Sequence, residues 1–99
     1  MSVYLVSYDL NAPDKDYQRL IDAIGRYGNV CRVLKSQWAI QSNNSAEQIF
    51  NDLVRFIDGD DELFVCELNQ NYAGRLSQEK IDWFQSFPKP LQLLPRLLG

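Results

Sequence analysis

Asp9 closes an apolar run, Val3-Tyr4-Leu5-Val6-Ser7-Tyr8, and is the most chemically suggestive residue in the chain. A carboxylate at the C-terminal end of a strand is well placed to face a cleft or a two-fold axis and to hold a divalent ion through oxygen. The plainer role is a side-chain cap on the following turn or helix. The dipeptide Tyr8-Asp9 does not by itself choose between the two. A second group is Arg32, Lys35 and Ser36, with Trp38 just beyond. Cations beside an aromatic ring suit phosphate contact and base stacking, while cross-strand pairing around a core tryptophan explains the same residues. A third group, Asp58-Gly59-Asp60-Asp61-Glu62, is dense in carboxylates. It lacks the spaced ligands and central glycine of an EF-hand loop, and reads as a solvated turn.

The absence of histidine narrows the chemistry further. It removes a histidine general base, a Ser-His-Asp triad, a Cys-His pair and every histidine-containing zinc site. Catalysis in this chain rests on carboxylates, hydroxyls, lysine or a metal held by oxygen. The net charge of −3 argues against a surface devoted as a whole to nucleic acid, because phosphate neutralisation needs clustered Lys and Arg. A local basic patch, or a dimer that gathers two patches, remains open. Cys31 and Cys66 sit in apolar runs without metal-site spacing and read as reduced, buried thiols. The first residues lack the positive segment of a signal peptide, and no apolar run approaches the roughly 20 residues of a membrane span. The expectation is a cytoplasmic protein with no membrane partner.

These groups need elements to position them. Val3 to Asp9 alternates as a strand, with Tyr4, Val6 and Tyr8 on one face and Val3, Leu5, Ser7 and Asp9 on the other. Pro13 suits a helix start, and Tyr17, Leu20, Ile21, Ile24 and Tyr27 give an amphipathic helix over 14–27. Asp14 and Asp16 sit in its first turn, where the helix dipole favours negative charge. Gly28 suits its stop, and Gly25 suggests close packing on a sheet. Strands over 30–34 and 37–42 flank a tight turn at Lys35-Ser36. Ser45 and Gln48 form a capping box for a second helix with Ile49, Phe50, Leu53, Val54 and Ile57 inward. Residues 62–68 make a last strand.

The order β-α-β-β-α-β predicts an α+β domain of the ferredoxin-like plan. Right-handed crossovers put two helices on one face of an antiparallel sheet and leave the other face bare. A bare face in a chain of 99 residues, which buries only ~60–65% of its unfolded surface, invites a symmetric partner. Residues 1–69 form this core. Residues 70–99 read as an appendage: a helix capped by Ser77 and rich in Trp83, Phe84 and Phe87, then Pro88-Lys89-Pro90 and a leucine-rich tail. It is expected to pack on the core or on a second subunit.

Three segments together resemble a known family: the strand Val3-Tyr4-Leu5-Val6-Ser7-Tyr8-Asp9-Leu10, the hairpin Arg32-Val33-Leu34-Lys35-Ser36-Gln37-Trp38, and the strand Glu62-Leu63-Phe64-Val65-Cys66-Glu67-Leu68. They look like the small ferredoxin-like CRISPR adaptation protein, its stand-alone SinR-like relatives and, more distantly, the VapD-type toxin ribonucleases. The resemblance implies a homodimer with paired sheets, and for some members a magnesium-dependent endonuclease acting on RNA or DNA. It implies that Asp9, one from each subunit, is the metal-linked residue for Mg²⁺. It matches Arg32 and Ser36 to the hairpin pattern and puts Trp38 where an aromatic is expected. Two departures are the acidic stretch Asn11-Ala12-Pro13-Asp14-Lys15-Asp16 and the apolar Leu34 in place of a polar residue. A stand-alone SinR-like member fits them better than a true adaptation protein. The alternative function is a non-catalytic dimeric interaction module in which Asp9 is structural.

Overall fold

The computed structural model describes residues 1–11, 17–69, 71–87 and 94–95. The chain divides into two compact units, Met1–Glu67 and Leu68–Gly99. The first holds β1 (Ser2–Asp9), α1 (Gln18–Gly25), β2 (Val30–Leu34), β3 (Gln37–Ser42), α2 (Ala46–Leu53), a short 3₁₀ turn (Val54–Phe56) and most of β4 (Glu62–Leu68). The four strands form one antiparallel sheet in the order β2-β3-β1-β4. This α+β arrangement is consistent with a ferredoxin-like fold.

The sheet register sorts the side chains onto two faces. Tyr4 pairs with Ile40 and Val6 with Trp38, so these four share a face, and Val30 joins them opposite Ile40. That face meets both helices. Tyr4, Val6 and Ile40 make one buried cluster with Leu20, Ala23 and Ile24 of α1 and Ile49 and Leu53 of α2. Each fully buried aliphatic side chain contributes about 1.5–3 kcal/mol, so this cluster carries most of the stability of the unit. The opposite face presents Val3, Leu5, Ser7 and Asp9 of β1. In β4, Leu63 and Val65 pack on the core, and alternation turns Phe64 the other way, where it is 66% exposed.

Local chemistry explains most element ends. The Ser45 hydroxyl accepts the Gln48 N–H at 3.1 Å, and the Gln48 side chain accepts the Ser45 N–H at 2.8 Å, completing the expected capping box. Gly28 has φ +89°, a conformation that costs glycine little. It lets the chain turn from α1 into β2, where the Asn29 carbonyl accepts the Gln41 N–H at 3.0 Å. The β2–β3 ladder slips by one residue between Arg32 and Leu34, a bulge that buries Val33 and leaves Leu34 53% exposed.

Some expectations are corrected. The first helix covers Gln18–Gly25 with Tyr17 at its N-cap; the expected roles of Pro13, Asp14 and Asp16 lie outside the described residues. Gly25 is exposed, and a Cβ there meets nothing within 4 Å, so it is not a point of close packing on the sheet. Cys31 and Cys66 are half-buried thiols and form no disulfide.

The second unit holds β5 (Arg75–Leu76), α3 (Gln78–Gln85) and β6 (Leu94–Pro95), with β5 and β6 paired in parallel. Trp83 meets Phe84 and Phe87 edge-on with ring centroids 5.0 and 4.9 Å apart, and Tyr72 lies 5.8 Å from Phe84. Ser77 occupies the N-cap of α3, but its side chain accepts no hydrogen bond there; its carbonyl takes the Lys80 and Ile81 N–H groups instead. The Pro88-Lys89-Pro90 stop lies outside the described residues. Among the described residues no helix is long and apolar enough to cross a membrane.

Candidate functional site

Asp9 is exposed at the last position of β1. Among the described residues its carboxylate accepts no hydrogen bond and makes no ion pair; the cap expected of it on the segment before α1 falls on residues 12–16, which lie outside the described residues. What the sheet does instead is bring it beside the start of β4. Ser7, Tyr8 and Asp9 line an open depression of about 410 Å³ together with Glu62, Leu63 and Phe64. Glu62 is also exposed and without a partner among the described residues. Two carboxylates therefore border one hollow, with the exposed Phe64 ring at its side.

Glu62 was not singled out by sequence reasoning, which read it as the end of an acidic turn. The signal that finds it is long-range: only the pairing of β4 next to β1 puts the first residue of one beside the last residue of the other.

The hairpin closes at the same end of the sheet. The Ser36 carbonyl accepts the Tyr8 N–H at 3.0 Å, which seats Lys35 and Ser36 next to the strand end that carries Asp9. Lys35 and Ser36 are both exposed. Arg32 is held differently. Its Nε and Nη2 donate to the Lys35 carbonyl at 3.2 and 2.7 Å, and its guanidinium rests over the Trp38 ring at 5.4 Å. Trp38 in turn packs against the core, and its Nε1 donates to the Tyr8 hydroxyl at 3.1 Å. Lys35 thus sits at the strand end that carries Asp9, whereas Arg32, opposite Trp38, is on the helix-side face and not on the face of Asp9; the tryptophan is engaged inside the fold and not presented as a stacking ring.

The carboxylate run at 58–62 does structural work. Asp61 accepts the Asn11 N–H and the Asp58 N–H, each at 2.9 Å, and the Tyr17 hydroxyl at 3.2 and 3.3 Å to its two oxygens. Asn11 also donates through its side chain to the Asp60 carbonyl. One side chain thus ties the exit of β1 and the entry of α1 to the loop before β4. Ligand oxygens of Asp58, Asp60 and Asp61 come within 4.8 Å of one another, but those of Asp61 are already committed to these donors.

The donor set around the depression fits a hard divalent ion such as Mg²⁺, which takes oxygen ligands, keeps several waters and is held through one or two carboxylates. Asp9 and Glu62 are the residues that would hold it. A soft metal is a poor match, because neither imidazole nor thiolate lines the hollow. The sequence matches no protein-family model.

Proposed function

We propose that this chain is a metal-dependent endonuclease of the SinR-like kind, related to the small CRISPR adaptation proteins, with a ferredoxin-like core acting as a homodimer on RNA or DNA. The observation that carries the reading is Asp9: an exposed carboxylate at a strand end, without a hydrogen-bonding partner among the described residues, in a hollow shared with Glu62. Asp61, which braces a turn, has its oxygens taken by fold-defining hydrogen bonds, whereas Asp9 makes none among the described residues.

In this reading Asp9 of each subunit, with Glu62, would hold Mg²⁺, which would supply Lewis-acid stabilisation of charge growing on the phosphoryl oxygens and acidify a coordinated water. The chain's own residues do the rest. Lys35 and Ser36, seated beside β1 by the Ser36 carbonyl, orient the scissile phosphate. Arg32, held over Trp38 on the other face of the sheet, adds only to the long-range positive field at this end. With no histidine available, the proton on the attacking water passes to a carboxylate or to solvent.

The test is cleavage of labelled RNA and DNA with Mg²⁺ and with chelator, comparing wild type and Asp9→Asn. The expected result is cleavage that needs Mg²⁺ and falls at least ~100-fold in the variant. Full activity in Asp9→Asn would remove the assignment of Asp9, and absence of cleavage by wild type would leave the non-catalytic dimeric module as the better account.

A further inference from the structure

The helix layer carries a second cationic group, unrelated to the hairpin. The guanidinium carbons of Arg19, Arg26 and Arg55 lie 5.7, 6.0 and 4.9 Å from the centroid of one ring, Phe56. Arg19 and Arg26 stand seven residues apart, two turns along one face of α1. Phe56 and Arg55 come from the 3₁₀ turn after α2. Three positive charges thus share one half-buried aromatic floor in a chain whose net charge is −3.

The neighbouring carboxylates offset this group only in part, with Asp52 paired to Arg55 and the charge of Asp22 lying between Arg19 and Arg26. Asp52 accepts Arg55 Nη2 at 2.8 Å on one oxygen and the Tyr27 hydroxyl at 2.8 Å on the other. Asp22, between the two arginines on α1, accepts the Gln18 amide at 2.8 Å. Arg19 and Arg26 are exposed and make no ion pair among the described residues. Among the described residues neither Arg19 nor Arg26 donates a hydrogen bond, so their N–H donors remain available to a ligand. Beside Arg26 lies a hollow of about 260 Å³ lined also by Ala23, Tyr27, Asn44 and Asp52. Like charges within about one Debye length, ~8 Å at physiological salt, repel each other, and an anion relieves that repulsion.

We propose that Arg19 and Arg26, over the Phe56 floor, form a phosphate-binding surface for a nucleic-acid strand, with Arg55 adding to its field. Guanidinium forks suit phosphate oxygens better than the point charge of lysine does. A phosphodiester chain offers successive anions to two arginines set ~10 Å apart along the helix axis. This surface rests on different residues from the Asp9 hollow, so it extends the proposed function without depending on the chemistry there.

The experiment is fluorescence anisotropy of a short labelled oligouridylate with the full chain over a salt series. Arg19→Gln/Arg26→Gln is compared with Arg32→Gln/Lys35→Gln. The expected result is at least tenfold weaker binding for the helix pair, with the slope of log K against log salt reduced by about 1.4, the value for two lost phosphate contacts on a single strand. Unchanged affinity and slope would overturn the proposal, as would failure of wild type to bind the probe. Equal binding of a polyglutamate peptide would overturn the assignment to nucleic acid. Should the variant misfold, the arginine Nε–H resonances of wild type decide: those of Arg19 and Arg26 must move on adding oligouridylate. Cleavage separates the two proposals. RNA cut normally by the helix-pair variant with unchanged binding sinks this surface alone, whereas binding through Arg19 and Arg26 without Mg²⁺-dependent cleavage sinks the nuclease alone.

Discussion

Asp9 and Asp61 are both aspartates at the same end of one sheet, and they are used in opposite ways. Asp61 belongs to the denser acidic cluster, yet its oxygens are taken by two backbone N–H groups and a tyrosine hydroxyl. Asp9 has fewer acidic neighbours, yet its carboxylate faces an open hollow shared with Glu62. Counting carboxylates therefore points to the wrong place. What distinguishes a ligand from a brace is whether its lone pairs are already committed, because a carboxylate that accepts several fold-defining hydrogen bonds releases them only at a cost in stability.

The contrast can be broken first at Asp9. Asp9→Asn should lower Mg²⁺-dependent cleavage at least ~100-fold, about 2.7 kcal/mol of transition-state stabilisation, while the melting temperature stays unchanged. Asp61→Ala should show the reverse pattern. Losing three donors' acceptor is expected to cost about 1–2 kcal/mol of stability, held down because the exposed N–H groups can turn to water; urea melts measure it, and cleavage by the folded fraction should persist. Glu62→Gln sharpens the comparison, with roughly tenfold weaker Mg²⁺ activation expected, and a magnesium titration of the rate reads it directly.

The smallest effect is in alkali. Burial, helped by the neighbouring Asp52 carboxylate, pushes the Tyr27 phenol up to about 12. Its folded value lies above the unfolded value near 10, so the folded state holds the proton more tightly. Stability from this group is fully present below pH 10 and is lost as pH rises from 10 toward 12. Tyr72, raised to about 12 by burial in the other unit, adds to the same decline. Thermal melts across that range should fall, and Tyr27→Phe should flatten part of the fall.

The strands were legible in the sequence for a simple reason. Val30–Leu34, Gln37–Ser42 and Glu62–Leu68 are short alternating runs bounded by turn residues, so local periodicity carries their limits. The capping box at Ser45 and Gln48 is likewise local and came out as expected. Gly25 misled because a helix glycine suggests close approach, whereas this one faces open space. Asp61 looked like a solvated turn residue because Tyr17, its partner, is 44 positions away. Glu62 and the Phe56 floor were hidden for the same reason: each gains its meaning from an element distant in sequence. Asp9 was visible as a candidate from the start, but only the fold shows that no turn or helix among the described residues consumes its oxygens.

The most direct measurement uses Mn²⁺ in place of Mg²⁺ and follows paramagnetic broadening of backbone resonances in the full chain. If Asp9 and Glu62 hold the ion, substoichiometric Mn²⁺ broadens the signals around Ser7–Asp9 and Glu62–Phe64 first, and Asp9→Asn abolishes the effect. Broadening that centres on Asp58, Asp60 and Asp61 and survives in Asp9→Asn would contradict the account and make the dense cluster, not the open carboxylate, the metal site.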